Sequence, residues 1–437
     1  MKIKILASIL LLAMLTSGLA FAQGGSTTTN IQVQNLSDET AHCAITYYNQ
    51  DGTSALSYSF DIAASKSWSK YQGAETSLPD GFNGSVVVSC DQPVAAIVNQ
   101  ATSGAEQRSS AYSGESAGAT GMSVPIAMRQ FYGFDTEISV QNASGGTVDV
   151  TVDYYDANGN LVTAAQETLS DLAVGAVHRF NQADNANLGT GFNGSASVSA
   201  TGNVVVVINQ NGADQQNSFN GFTAGSETVY IPSVLEDFYG FVTAVQVQNV
   251  GSAQTRVRVT YSDGIIQTSG YIQPNQSTFF YSWLEGHSAN FNGSATITSL
   301  DSQNLVAVVN ISDGAQSSAY NGFAGGSTQF VLPSVLRNFY DYSSSVQLQN
   351  VSGGAVDCDV TYDDAAVAAP VGSLIGIPDG ESVLIPNRNE AHGDNYQGSA
   401  TLVCTGAVVA IVNQGPNPEL TQYQGYDASV AYNGMTP

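Results

Sequence analysis

Residues 148–159 read Val-Asp-Val-Thr-Val-Asp-Tyr-Tyr-Asp-Ala-Asn-Gly. Val148, Val150, Val152 and Tyr154 alternate with polar residues, the period of a strand that buries one face and wets the other. Asp156-Ala157-Asn158-Gly159 then supplies a turn, because glycine reaches positive φ without a Cβ clash. Ile138 and Val140 alternate in the same way just upstream. Apolar stretches at 161–169, 172–180, 195–200, 204–209 and 228–235 follow, separated by Asn, Gly, Asp and Ser. No segment holds a helical period. About seven short strands in about a hundred residues predict an antiparallel β-sandwich.

The pattern is written four times. A Val-Gln-Asn triplet ends at Asn35, Asn142 and Asn249, and a Leu-Gln-Asn triplet at Asn350. Each copy then carries an aromatic, an amide and a Gly-Ser step: Phe82-Asn83-Gly84-Ser85, Phe192-Asn193-Gly194-Ser195, Phe291-Asn292-Gly293-Ser294 and Tyr396-Gln397-Gly398-Ser399. An apolar strand ending in Asn99, Asn209, Asn310 or Asn413 follows. Repetition at domain length indicates that one small fold was copied. The expected division is a signal peptide over 1–22 and sandwich repeats over 23–118, 119–225, 226–326 and 327–437.

The first 22 residues have the form of a secretory leader, with Lys2 and Lys4, an apolar run from Ile5 to Leu15, and Ala20-Phe21-Ala22 before Gln23. The run is too short for a spanning helix of about 20 residues, and no later stretch approaches that length, so no membrane span is expected. No Cys stands at the cleavage point to carry a lipid. Without the leader, nine basic residues face 36 acidic ones, a net charge of −27. Such a polyanion repels nucleic acid and anionic lipid. Lys66 and Lys70 are the only lysines left, which excludes a Lys-Asn isopeptide crosslink in every repeat.

Sulfur supplies the staples instead. Cys43 and Cys90 lie 47 apart in the first repeat, and Cys358 and Cys404 lie 46 apart in the fourth, at positions that align. The expected pairs are Cys43 with Cys90 and Cys358 with Cys404. The aligned positions in the middle repeats are Val150 with Ala200 and Val257 with Ser299, small or apolar pairs suited to facing strands. Terminal modules with a neighbour on one side only have more need of a crosslink. The cysteines are not in close pairs and no His joins them, which argues against zinc.

Each inner boundary carries a proline inside an apolar strand and an aromatic cluster. These are Pro125 with Phe131, Tyr132 and Phe134, Pro232 with Phe238, Tyr239 and Phe241, and Pro333 with Phe339, Tyr340 and Tyr342. Packed between modules, such aromatics predict a semi-rigid, elongated rod of four immunoglobulin-like antiparallel β-sandwich domains, an all-β fold. The connector strand occurs three times, at 124–128, 229–235 and 330–336, for four repeats. If it opens the following repeat, the first lacks it; if it closes the preceding one, the last lacks it. One end then has an open sheet edge able to take a strand from another chain, unless residues 27–30 or the tail from Tyr423 fill the gap.

Chemistry-bearing residues are sparse. His42 adjoins Cys43, His178 lies in a strand, and only His287 and His392 match between repeats, each near a Glu, a pairing that a solvated loop explains as well as a weak metal site. Asp153, Asp156 and Asn158 are candidate calcium ligands, with Asn49, Asp51, Asp363 and Asp364 in related turns, but turn formation accounts for them without an ion. Tyr112, Phe219, Phe222, Tyr320, Phe323 and Tyr432 can either stack on sugars or close the sandwich. A catalytic site is rarely copied four times, whereas a turn the fold requires must be.

The phrase from Gly81 to Asn99, GFNGSVVVSCDQPVAAIVN, with the FYGF and YNGF punctuation, resembles tandem repeats of secreted bacterial surface proteins, over nearly all of the mature chain. The resemblance implies secretion and a β-sandwich and carries over no catalytic residue and no cofactor. The expectation is a secreted, non-enzymatic structural protein of the cell surface. It would assemble head-to-tail with itself into a filament, sheath or layer, or serve as an adhesin stalk. A multivalent extracellular carbohydrate-binding protein on cell-surface polymers is the alternative, and it needs a row of exposed aromatics.

Overall fold

The computed structural model describes residues 26–103, 108–284, 286–363, 374–386, 393, 395–416 and 427–437; the leader and His392 lie outside them. Among the described residues the chain is all-β, every strand pairing is antiparallel, and the only helical turns are short 3-10 segments. None of these is long and apolar enough to cross a membrane as a helix.

The first repeat holds β1 (Ser26–Asn35), β2 (Ala41–Asn49), β3 (Ser54–Ile62), β4 (Ser67–Tyr71), β5 (Gly84–Cys90), β6 (Val94–Ser103) and β7 (Arg108–Ser113). They form a β3-β2-β5 sheet and a β4-β1-β6-β7 sheet, packed over Ile31, Val33, Ile45 and Tyr47. The second repeat has β8 (Ala119–Arg129), β9 (Asp135–Asn142), β10 (Val148–Tyr155), β11 (Glu167–Leu172), β12 (Val177–Asn181), β13 (Phe192–Asn211) and β14 (Gln216–Asn220). Here one long strand serves both sheets: the start of β13 pairs with β10 and its end with β9. The stretch expected as a strand from Leu161 instead makes a 3-10 turn at Thr163–Ala165 before β11.

The third repeat holds β15 (Thr228–Glu236), β16 (Val242–Asn249), β17 (Thr255–Tyr261), β18 (Ile266–Ile272), β19 (Ser277–Tyr281), β20 (Phe291–Ser299), β21 (Leu305–Ser312) and β22 (Ser317–Asn321). The fourth holds β23 (Ser327–Arg337), β24 (Tyr342–Asn350), β25 (Val356–Tyr362), β26 (Leu374–Ile377), β27 (Ser382–Pro386), β28 (Tyr396–Pro416) and β29 (Val430–Asn433). Cys43 bonds Cys90 and Cys358 bonds Cys404. Each pair sits directly opposite in neighbouring strands, so the bridges staple one sheet, whereas the immunoglobulin bridge joins two.

The repeated triplet has a structural job. The Asn35 amide donates to the carbonyls of Glu39 and Ile62 at 2.7 and 3.0 Å. Asn142, Asn249 and Asn350 make the same two bonds, to Gly146 and Leu172, Ala253 and Ile272, and Gly354 and Ile377. Each Asn is buried and fully used as a cross-loop clamp. The Gly-Ser step makes the joints between repeats. A Cβ on Gly84 would stand 1.9 Å from the Tyr48 carbonyl oxygen, and one on Gly194 2.0 Å from that of Tyr155, so only glycine fits. The following serine donates to the next repeat: Ser85 to the Gly175 carbonyl, Ser195 to that of Asn275, and Ser294 to that of Gly380 at 2.6 Å.

The fourth repeat comes back to the first, and here the rod expectation fails. Gln32 donates to the Gly398 carbonyl at 3.1 Å, Gln397 to Gln32 at 3.2 Å, and Ser67 to Asp363 at 3.3 Å, while Lys66 reaches the Asp363 carbonyl. The Gln32–Gly398 bond has the same form as the one from Gln246 to the Gly194 carbonyl between the third and second repeats. The four final strands, β7, β14, β22 and β29, neighbour one another in a closed cycle. Cores are shared around the ring: Val308 packs in the second repeat's core, Ile411 and Ala431 in the third's, and Ile97 and Ala111 in the fourth's. A rod would leave the last of these faces in water, and burying it drives closure. The outer repeats therefore have neighbours on both sides, and their disulfides are not end caps.

The junction aromatics form tight turns rather than filling joints. Phe131 and Phe134, Phe238 and Phe241, and Phe339 and Tyr342 bridge across each turn, and Tyr132 and Tyr239 stand out at 90% and 74% exposure.

Candidate functional site

The connector strands settle which repeat is incomplete. β8 pairs with the first half of β13, β15 with β20 and β23 with the first half of β28, so each connector belongs to the repeat that follows it. The counterpart of those partner strands in the first repeat is β5. It pairs with β2 on one side, and among the described residues no strand lies along its other side. Residues 27–30 do not fill the place, since they pair with β6. The described part of the tail, 427–437, does not either: β29 pairs with β28, and Met435 bridges Val331.

The missing strand shows in the packing. Ala196, Val198, Val204, Val206 and Ile208 of the second repeat are all buried, at 0–1% exposure. The matching Val86, Val88, Val94, Ala96 and Val98 of the first repeat are only half-buried. In the third repeat the Tyr320 hydroxyl donates to the carbonyl of connector residue Ser233 at 2.6 Å, and in the fourth Tyr432 donates to Ser334 at 2.5 Å. Tyr112 occupies the matching place in the first repeat, where no connector carbonyl is at hand. Burial pushes its hydroxyl up to about 12, against the pull of Arg179.

The second repeat walls the gap with polar groups. At the joint between the third and second repeats, Gln246 and Ser277 donate to the connector carbonyl of Pro125 at 2.6 and 2.8 Å. At the joint facing β5, the paired strands β9 and β12 carry Glu137, Ser139, Gln141 and Arg179. Arg179 lies 3.6 Å from Glu137, with side chains 11% and 2% exposed. The Arg179 Nη2 and Gln141 Nε2 atoms are buried without an acceptor. An apolar groove, an unpaired strand edge and buried donors lacking acceptors together make a receptor for an extended chain.

Burial pushes the Glu137 carboxyl up to about 7, offset in part by Arg179, Ser139 and Asn209. The folded state thus holds this proton more tightly than the unfolded state, whose carboxyl releases it near 4.5. The resulting stability is complete below the unfolded value and is lost as pH rises through about 7. The melting temperature is expected to drop by roughly 2–4 °C between pH 5 and pH 8. Scanning calorimetry of the parent and of Glu137→Gln checks this, since the variant flattens that slope; equal slopes would refute it.

The other candidates resolve into structure. Asp156 accepts the backbone amides of Asn158 and Asn160 at 2.9 Å, which is turn capping, and Asp153 accepts from Gln166. No group of three acidic, His or Cys side chains among the described residues is placed to hold a metal. His42 pairs with Asp61 at 2.8 Å on the surface, and His287 with Asp263 at 2.7 Å, stacked on Phe291. Sequence reasoning passed over Glu137, Arg179 and Asp427; for the first two the signal available was a charge inside an otherwise apolar or amide-rich strand, whereas Asp427 lies in the coil before β29 and carries no such mark.

No family model matches the chain, and no curated protein does. Among solved structures, a serine-rich repeat adhesion glycoprotein from Streptococcus agalactiae is similar at 11% identity, over 78% of this chain and 89% of that one. The TM-score is 0.12, at which the two chains share no common superposition.

Proposed function

We propose that the chain is a secreted, non-enzymatic protein of a bacterial cell surface that works by accepting a β-strand from another chain at the open edge of β5. The observation that carries this reading is the half-buried groove of Val86, Val88, Val98 and Tyr112 beside an edge that β8, β15 and β23 cover in the other repeats. Accepting a strand in trans links copies into a filament, sheath or layer, or fixes the ring to a surface polymer that ends in such a strand. The two disulfides fit an oxidising compartment outside the cytoplasm, and among the described residues the repeated motifs serve in clamps and joints.

A second reading rests on Tyr132 and Tyr239, exposed at equivalent turns as a sugar-stacking row requires. One experiment separates the two: light scattering and negative-stain microscopy of the chain starting at Gln23, with and without excess peptide of the connector sequence Thr228–Glu236, alongside glycan binding by Tyr132→Ala/Tyr239→Ala. Assemblies that fall apart to single rings when the peptide caps the edge are the expected result. A persistent single ring whose glycan binding vanishes in the double variant would move the function to the tyrosines.

A further inference from the structure

We infer that the strand accepted along β5 carries an aspartate at the place where the other repeats' connectors carry Ile126, Ser233 and Ser334, and that Gln100, Tyr112 and Arg179 receive it. This rests on the strand-accepting reading of the β5 edge and names the chemistry of the partner, a polypeptide strand with one small acidic residue.

The complete repeats show what that place demands. In the fourth, Gln414 Nε2 donates to both the carbonyl and the hydroxyl oxygen of Ser334 at 2.9 Å, and the Tyr432 hydroxyl donates to the same carbonyl. In the third, Tyr320 donates to the Ser233 carbonyl. In the second, Phe219 stands in place of the tyrosine and the connector residue is Ile126. A tyrosine thus goes with an oxygen-bearing connector side chain, and the phenylalanine with an apolar one. The first repeat has the fourth's pair. Tyr112 lies opposite Val98 as Tyr432 lies opposite Val412, and Gln100 follows Asn99 as Gln414 follows Asn413. Gln100 is 1% exposed, and its Nε2 has no acceptor among the described residues.

A third donor is peculiar to this joint. The residues paired across the two strands that face a neighbouring repeat are Gln246 with Phe279 in the third repeat, Gln347 with Leu384 in the fourth and Gln32 with Ser69 in the first. In the second repeat, which faces the vacancy, they are Ser139 with Arg179. Gln246 donates to the carbonyl of Pro125, next to Ile126, so the same register sets Arg179 beside the aspartate's place. Arg179 and Gln100 both act on the Tyr112 hydroxyl against its burial, so the three groups converge across the joint. Arg179 Nη2 has no acceptor among the described residues. Glu137, 3.6 Å from Arg179 Nε and with its carboxyl pushed up to about 7 by burial, answers only part of the guanidinium charge. A serine would leave that charge short of an anion. An aspartate accepts from Gln100 as Ser334 does from Gln414 and supplies the charge as well. Glu115 bounds the assignment: it stands where Phe222, Phe323 and Met435 bridge the connectors at Ser123, Tyr230 and Val331, so an acid nearer the strand's start meets a like charge.

The test measures, by fluorescence anisotropy at pH 7, the binding of three labelled peptides to the chain starting at Gln23: Thr228–Glu236 as it stands, its Ser233→Asp form and its Ser233→Asn form. The Ser233→Asp peptide is expected to bind about tenfold or more tighter than either of the others, and to lose that lead on an Arg179→Leu protein, which carries the residue of the fourth repeat at this place. Asparagine matches aspartate in size, so the comparison on the parent protein isolates the charge even if Arg179→Leu does not fold. Equal binding of the three peptides, or a lead that survives in folded Arg179→Leu, would overturn the aspartate assignment and leave strand acceptance standing. Binding of none would end both.

Discussion

Asp427→Ala is expected to open the ring. Asp427 lies in the fourth repeat and is 1% exposed. Its carboxylate accepts the backbone amides of Gln216 in the second repeat and Ser317 in the third, each at 2.7 Å, and its own carbonyl accepts from Ser109 in the first at 3.0 Å. One residue therefore holds all four repeats at one end of the axis. Alanine leaves two buried amides without acceptors, at about 1–3 kcal/mol apiece. Burial pushes the Asp427 carboxyl well above its ordinary range, so part of its interaction energy is already spent on desolvation, and the lower half of that range is the appropriate expectation, about 3 kcal/mol in total. The two amides are accepted by different carboxylate oxygens, so Asp427→Asn keeps one acceptor, turns its NH2 donor toward the other buried N–H and should recover only part of the loss. Chemical denaturation with small-angle scattering checks both points: the alanine variant unfolds earlier and scatters as a more extended particle. A full-stability, ring-sized Asp427→Ala protein would contradict the clamp.

The second large effect is an asymmetry between the disulfides. Cys43–Cys90 and Cys358–Cys404 close loops of 47 and 46 residues, so in the chain-entropy account each is worth about 4 kcal/mol. Their settings differ. Cys404 belongs to β28, whose other edge is covered by β23, whereas Cys90 ends β5, which has a partner on one side only. Around Cys90, Val86, Val88 and Val98 are half-buried, and the fully buried core of the first repeat is the smallest of the four. Replacing Cys43 and Cys90 by alanine is thus expected to create a separate, low-temperature calorimetric transition for the first repeat, whereas replacing Cys358 and Cys404 lowers the main transition. Identical thermograms for the two variants would show that the first repeat is as well supported as the fourth.

What the sequence made legible was local. Alternation at Val148–Tyr154 marks β10, and the aligned cysteines mark a register, since Cys43 faces Cys90 just as Val150 faces Ala200 and Val257 faces Ser299. Two readings about the connector were open, and the pairing of β8 with β13 chose between them. What stayed hidden was relational. The glutamines in and just before the repeated triplets look like ordinary strand residues until Gln246 and Gln248 are seen donating to the repeat before their own, and Gln32 to a carbonyl 366 residues away. A contact of that span leaves no periodicity to read. The aromatic boundary clusters suggested packed joints because aromatics favour burial, yet tight turns at Tyr132 and Tyr239 hold those rings out in water. Glu137 and Arg179 were invisible as a pair because they lie on different strands, β9 and β12, and meet only through strand pairing.

The measurement that bears most directly on the whole account is amide hydrogen exchange of the chain starting at Gln23, comparing the β5 segment Gly84–Cys90 with its counterpart Gly194–Ala200 in β13. The two segments share a fold position and differ in whether a connector covers the outer edge. The β5 amides that point away from β2 should exchange fast and the β13 amides slowly. Equal, slow exchange in both segments of the free ring would mean that the edge is already closed, and strand acceptance would have to be abandoned.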